Sequence, residues 1–112
     1  MTGEIHPTAI VDPHAELAEG VSVGAYSIIG PGAKLGRGTK IWHQASIWGN
    51  TTIGEYCEVY PFASVGMKTQ DLKFEGGKSG AVIGDRNVIR EYVSINAATN
   101  EGESTEIGDD NL

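Results

Sequence analysis

A branched aliphatic residue occupies every sixth position from Ile5 to Val65: Ile5, Val11, Leu17, Val23, Ile29, Leu35, Ile41, Ile47, Ile53, Val59 and Val65. The same phase returns at Ile83, Ile89, Ile95 and Ile107. Four places after each aliphatic stands a small or slender residue, as at Ala9, Ser27, Thr39, Ala45, Cys57 and Ala63. An α-helix of 3.6 residues per turn cannot hold a period of six on one side, because six residues carry the chain round by about 600°. A strand of period two can, if it turns and restarts every six residues. The pattern predicts an all-β solenoid, a hexapeptide-repeat β-helix with three short strands to a rung. Rungs should lie about 4.8 Å apart. Ile5, Val23, Ile41 and Val59 then stack in one column, Val11, Ile29, Ile47 and Val65 in a second, and Leu17, Leu35 and Ile53 in a third.

Energetics require that regularity. Ordering six residues costs roughly 6–12 kcal/mol of backbone entropy, and burying one aliphatic returns only ~1.5–3 kcal/mol. A lone coil cannot hold itself, so stability must come from stacked neighbours. Glycines follow the aliphatic at Gly24, Gly30, Gly36, Gly54, Gly66, Gly84 and Gly108. They are expected to relieve crowding at the corners or to permit positive φ. Pro7, Pro13, Pro31 and Pro61 fall two places after an aliphatic, another corner position. The period leaves handedness open, right-handed crossovers being the general rule.

Coils are expected over about 5–65 and 83–112. Between Val65 and Ile83 the in-phase positions hold Asp71 and Gly77, and an unpaired carboxylate in a dry column is costly. About twelve residues are therefore expected to leave the coil in a loop spanning about 66–82, with two degenerate coils as the alternative. A shorter loop is expected over about 96–106, where Glu101 is in phase. Loops on a rigid scaffold are where binding groups tend to sit. The chain stops at Leu112, inside a coil begun at Ile107, and reads as a fragment of a longer polypeptide.

Fifteen acidic against eight basic residues give a net charge of −7. A nucleic-acid partner, which calls for a basic face, is not expected. No apolar run approaches the ~20 residues of a membrane span, and the start lacks an export signal. Cys57, the single cysteine, cannot form an intrachain disulfide and sits at a small-residue position, where a buried, inert thiol is expected. The cytosol suits these features.

The three histidines, His6, His14 and His43, have no ligand spacing for zinc, so no metal is expected. Gln70, Asp71 and Lys73 bring an amide, a carboxylate and an ammonium within four residues, a set able to read sugar hydroxyls and a phosphate. A solvated polar loop has the same composition. Trp42 and Trp48 each follow an aliphatic and should point outward or into a corner, against a partner or a neighbouring loop. Asp85, Arg86, Arg90 and Glu91 should be solvated or paired across rungs, without a catalytic role.

The stretches IHPTAIVDPHAELAEGVSVGAYSIIGPG, FASVGMKTQDLKF, IGDRNVIREYVSIN and IGDDNL resemble one family, the acyl-carrier-protein-dependent UDP-N-acetylglucosamine O-acyltransferases of lipid A biosynthesis. The similarity runs from about Ile5 to the end, and QDLKF followed by IGDRNVIRE is its most specific part. The resemblance implies a left-handed parallel β-helix, a homotrimer and an active site between subunits. It implies transfer of a 3-hydroxyacyl chain from acyl carrier protein to the sugar's 3-hydroxyl, without a cofactor. It assigns Gln70, Asp71 and Lys73 to the nucleotide-sugar side, and Asn96 to a substrate contact where many members carry a histidine. The family's general-base histidine falls beyond Leu112, so this piece is expected to be inactive alone. KIWHQASI is similar to sugar N-acetyltransferases that use acetyl-coenzyme A, an alternative beside a non-catalytic assembly module and, more remotely, a metal-dependent carbonic anhydrase relative.

Overall fold

The computed structural model describes residues 3–67, 80–96 and 104–111. Strands of two to four residues follow one another at the sixfold spacing. The first seven are β1 (Ile10–Val11), β2 (Glu16–Leu17), β3 (Ser22–Val23), β4 (Ile28–Ile29), β5 (Lys34–Leu35), β6 (Lys40–Ile41) and β7 (Ser46–Ile47). Then come β8 (Asn50–Ile53), β9 (Glu58–Val59), β10 (Ser64–Met67), β11 (Gly80–Ile83), β12 (Val88–Ile89), β13 (Ser94–Asn96) and β14 (Ser104–Ile107). Each strand pairs in parallel with the third strand on, giving three flat faces: β3-β6-β9-β12, β1-β4-β7-β10-β13 and β2-β5-β8-β11-β14. No helix among the described residues is long and apolar enough to cross a membrane.

The three aliphatic columns are present in the expected order. Ile5, Val23, Ile41, Val59 and Ile89 are consecutive partners on the first face. Val11, Ile29, Ile47, Val65 and Ile95 stack on the second, and Leu17, Leu35, Ile53, Ile83 and Ile107 on the third. The middle of each column is closed to solvent, whereas Ile5 is 42% exposed and Val11, Leu17, Ile95 and Ile107 are half-buried. A column is dry only where a rung lies on both sides.

Successive partners are eighteen residues apart as far as Val65, but Ile53 pairs with Ile83 and Val65 with Ile95, thirty apart. The register thus steps over twelve residues without losing phase. A second step of six separates Ile83 from its partner Ile107, twenty-four residues on. Strand pairing also reaches further than the sequence margins: Gly66 and Met67 belong to β10, Gly80 to Val82 to β11, Asn96 to β13 and Ser104 to Glu106 to β14. The sequence boundaries at 66, 82, 96 and 106 therefore fall inside strands. Backbone bonds between rungs do not depend on an aliphatic at each position.

The corners correct one expectation about glycine. Of the seven glycines that follow an aliphatic, only Gly66 has positive φ. At Gly24 and Gly36 a Cβ would come within 2.5 Å of the backbone of the next rung, at His43 N and at the Gly54 carbonyl. These glycines allow close approach of rungs. Positive φ falls two places later, at Gly20, Gly32 and Gly38 but also at Tyr26, Gln44, Tyr56, Phe62, Arg86, Tyr92 and Asp110. A left-handed residue at the third turn position is the mark of a type II turn, where glycine or asparagine is usual. Side-chain-bearing residues there carry strain of order 1 kcal/mol each. Gln44→Gly should therefore raise the denaturant midpoint, by about 0.5–1 kcal/mol once the extra freedom of unfolded glycine is subtracted. An unchanged or lower midpoint would show that the solenoid has relaxed the strain.

Buried polar side chains complete the corners. Ordinarily the turn closes on itself, as where Ala63 N–H donates to the Tyr60 carbonyl at 3.3 Å. At four corners a side chain from the rung below enters that gap. The Thr39 hydroxyl donates to the Gly54 carbonyl (2.8 Å) and accepts from Cys57 N–H (3.2 Å). Ser27 does the same for the Trp42 carbonyl and Ala45 N–H. Cys57 Sγ bridges the Gly84 carbonyl and Asn87 N–H, and the Asn87 amide bridges the Gly108 carbonyl and Asn111 N–H. Cys57 is fully buried, and burial pushes its thiol up in pKa against the pull of the Asn87 N–H. A thiol held in that state is a poor nucleophile.

Candidate functional site

Gln70, Asp71 and Lys73 lie outside the described residues, so the site is defined by what flanks them. β10 ends at Met67 and β11 begins at Gly80, on adjacent faces. Both margins rest on the same corner, Trp48 to Thr51. Gly66 has φ +81°, and a Cβ there would lie 2.5 Å from the Trp48 carbonyl and collide with the Thr51 hydroxyl. A Cβ on Gly80 would collide with the Asn50 carbonyl. Thr51 is fully buried and donates to the Trp48 carbonyl at 2.6 Å. Two glycines thus lie close against this corner, Gly66 at the Thr51 hydroxyl and Gly80 at the Asn50 carbonyl. In the sequence the only sign of this packing is glycine inside strand positions.

Asn96 ends β13 and is the register partner of Met67, across an irregularity that follows Val65. Its side chain is exposed and its amide oxygen accepts from the Ser94 hydroxyl at 3.2 Å. Asn96 therefore lies beside Met67, the last described residue before the stretch of sequence that holds Gln70, Asp71 and Lys73. An amide there can orient a ligand by donating and accepting, but it cannot carry a proton at neutral pH.

The histidines are elsewhere. His6 and His14 belong to the first rungs: His6 Nδ1 meets the Thr8 hydroxyl at 2.8 Å and His14 Nδ1 meets Asp12 at 3.3 Å. β1, which precedes His14, lies four strands from β13, about 19 Å at the usual spacing. His6 and His14, in the first rungs, are not positioned to serve Asn96.

Trp42 points outward but is half-buried, stacked on Tyr60 with ring centroids 5.4 Å apart. Its indole N–H donates to Glu58 at 3.3 Å. Arg86 pairs across rungs with Asp110, which holds that carboxyl below and the guanidinium above their usual ranges. Arg90 pairs with its neighbour Glu91 and lies over the Tyr60 ring. All are exposed at the surface, where such pairs contribute little.

Residues 32–67 match the family model described as bacterial transferase hexapeptide (six repeats). The chain is 46% identical over 110 residues to the acyl-[acyl-carrier-protein]–UDP-N-acetylglucosamine O-acyltransferase of Thermodesulfovibrio yellowstonii, covering 97% of this chain and 43% of that protein. For the enzyme of the same name from Stutzerimonas stutzeri the identity is 51%, over 96% of this chain and 42% of the relative. The solved UDP-N-acetylglucosamine acyltransferase of Bacteroides fragilis superposes with a TM-score of 0.90 at 37% identity, covering 97% of this chain and 42% of that one.

All-parallel three-faced coils, hexapeptide repeats and these neighbours together define the class: a left-handed parallel β-helix of the hexapeptide transferases. Within that class, the sequence relatives narrow the assignment. The chain belongs to the acyl-carrier-protein–UDP-N-acetylglucosamine O-acyltransferase family, and it spans about two fifths of the length of the curated relatives it matches.

Proposed function

We propose that the protein transfers a 3-hydroxyacyl chain from acyl carrier protein to the 3-hydroxyl of UDP-N-acetylglucosamine, the opening step of lipid A biosynthesis, in the cytosol and as a homotrimer. The observation that carries this reading is identity of 44–51% to enzymes of that name over 91–97% of this chain. Exposed aromatic side chains at Tyr26, Phe62 and Tyr92 support burial against further copies.

On this reading Gln70 and Asp71 hydrogen-bond sugar hydroxyls, Lys73 meets a phosphate and Asn96 orients the substrate from β13. A general base takes the proton of the 3-hydroxyl as its oxygen attacks the thioester carbonyl. The carbon–sulfur bond breaks, and the carrier's thiolate leaves and is reprotonated. None of His6, His14 and His43 is assigned that base. The resemblance gives it to a histidine outside these 112 residues.

The test uses the polypeptide carrying both this chain and that histidine. With 3-hydroxyacyl carrier protein and UDP-N-acetylglucosamine the product should be an ester, cleaved by mild base. Lys73→Ala should raise KM for the nucleotide sugar about 10- to 100-fold, the worth of one charged hydrogen bond, with kcat and the melting curve unchanged. A base-stable amide made from acetyl-coenzyme A would transfer the protein to the N-acetyltransferases. No turnover with either donor would leave a non-catalytic module.

A further inference from the structure

Two side chains on the outer side of the β1-β4-β7-β10-β13 face are tied to one another. Ser94 and Asn96 are two residues apart in β13, so both point to the same side of the sheet. The Ser94 hydroxyl donates to Asn96 Oδ1 at 3.2 Å, and both residues are exposed. Ser94 stands in a register row with Ser64 and Ser46 on the strands below. Of these three serines, Ser94 is the one whose hydroxyl meets a side-chain amide among the described residues. An exposed bond of this kind adds little to stability, because water can replace either partner. Its effect is on orientation. A carboxamide is planar, with oxygen and nitrogen on one carbon, so holding Oδ1 at Ser94 turns Nδ2 away from it. Among the described residues nothing accepts from Nδ2. The amide therefore presents two N–H donors while its acceptor is occupied.

The face itself suits an anionic ligand rich in acceptor oxygens. None of its five strands carries an ionisable side chain. By contrast, Lys40 and Glu58 stand in strands of the first face, and Glu16, Lys34 and Glu106 in strands of the third. Asp12 follows β1, four strands from β13 and about 19 Å away at the usual spacing. Glu91, at the corner before β13, is already paired with Arg90. A diphosphate approaching β13 thus meets no carboxylate from these strands. A neutral N–H donor can hold its oxygens there, whereas an outward carbonyl oxygen would repel them.

We infer that Ser94 is a positioning residue: its hydroxyl fixes the Asn96 amide so that Nδ2 donates to an acceptor oxygen of the bound nucleotide sugar. This rests on the proposed binding of UDP-N-acetylglucosamine beside β13, and adds to it a donor polarity at Asn96 and a role for Ser94. A serine hydroxyl can also accept, in which case the amide would turn its oxygen to the ligand; the aspartate variant below separates the two.

The test uses the polypeptide that carries both this chain and the general-base histidine. It reads UDP-N-acetylglucosamine affinity by calorimetry, beside kcat and KM. Asn96→Ala should weaken binding about 3- to 10-fold, the worth of one neutral hydrogen bond. Ser94→Ala should weaken it about 2- to 5-fold with kcat and the melting curve unchanged. Ser94→Thr keeps the hydroxyl and should restore the parent affinity. In the Asn96→Ala background Ser94→Ala should do nothing further, since the group it positions is gone. Asn96→Asp keeps an acceptor for Ser94 and loses the donor, so it should bind at least as weakly as Asn96→Ala. Parent affinity in Ser94→Ala would overturn the inference. So would an equal effect of Ser94→Ala with and without the Asn96 amide, or an Asn96→Asp variant that binds as well as the parent. A parent protein that binds no UDP-N-acetylglucosamine would overturn the acyl-transfer reading and this inference together. One that binds and turns it over, but whose Ser94 and Asn96 variants are additive, loses this inference alone.

Discussion

Ile29→Asp is expected to abolish the cooperative fold at neutral pH, with loss of the strand signal in circular dichroism and no thermal transition. Ile29 is fully buried between Val11 and Ile47 in the second column, with the other two columns facing it across a narrow interior. Removing the aliphatic alone costs about 2–5 kcal/mol. The carboxylate that replaces it would be dehydrated with no cation in the column, which adds several kcal/mol more. The sum reaches the whole stability of a typical domain, about 5–15 kcal/mol. Because each rung is held only by its neighbours, damage in the second coil removes support from those on both sides. Ile10→Asp is the matched control: Ile10 is 64% exposed, and the change should cost no more than about 0.5 kcal/mol. Ile29→Val should cost about 0.5–1.5 kcal/mol. A folded Ile29→Asp variant, or equal damage from Ile10→Asp, would contradict the closed column.

The contrast between Ile10 and Ile29 also shows why so much of the fold was legible. Period six with a fixed phase states which side chains face inward, and the three columns followed from it as far as Ile53, Val59 and Val65, whereas the partners across the two register steps come from the structure. Strand margins were less legible, since Met67 and Gly80 pair through the backbone and leave no mark in the hydrophobic pattern. Handedness leaves no mark either. The left-handed turn positions were hidden for another reason. Tyr26, Gln44, Phe62 and Arg86 are residues that local preference would not put there, and the requirement comes from the geometry of the whole coil. For the site, chemistry and sequence gave different shares. The composition of Gln70, Asp71 and Lys73 suits a phosphorylated sugar and equally a wet loop, and only resemblance separates the two. That Asn96 lies beside Met67 depends on pairing between residues twenty-nine positions apart, which no local reading supplies.

Small residues stand four places after each aliphatic, and at several corners they do more than save space. Thr39 is the clearest case. It is fully buried, and its hydroxyl is simultaneously donor to Gly54 and acceptor from Cys57, replacing the bond that this turn would otherwise make with itself. Thr39→Val keeps the shape and removes the hydroxyl, leaving a buried carbonyl and a buried N–H without a partner. Each such orphan costs about 1–3 kcal/mol, so a loss of about 2–5 kcal/mol is expected from the denaturant midpoint. Thr39→Ser retains both bonds and should lose only about 1 kcal/mol, the worth of a methyl group. The order of the two variants decides the matter, because packing alone predicts the reverse: valine fills the site and serine leaves a hole. If the turn can close on itself by drawing Cys57 N–H to the Gly54 carbonyl, as Ala63 does with Tyr60, the valine variant will be nearly as stable as the parent. The bridging hydroxyl would then be a convenience of the corner and not a support. The same comparison at Asn87, with threonine against leucine, should repeat the result two rungs higher, where the side chain spans Gly108 and Asn111.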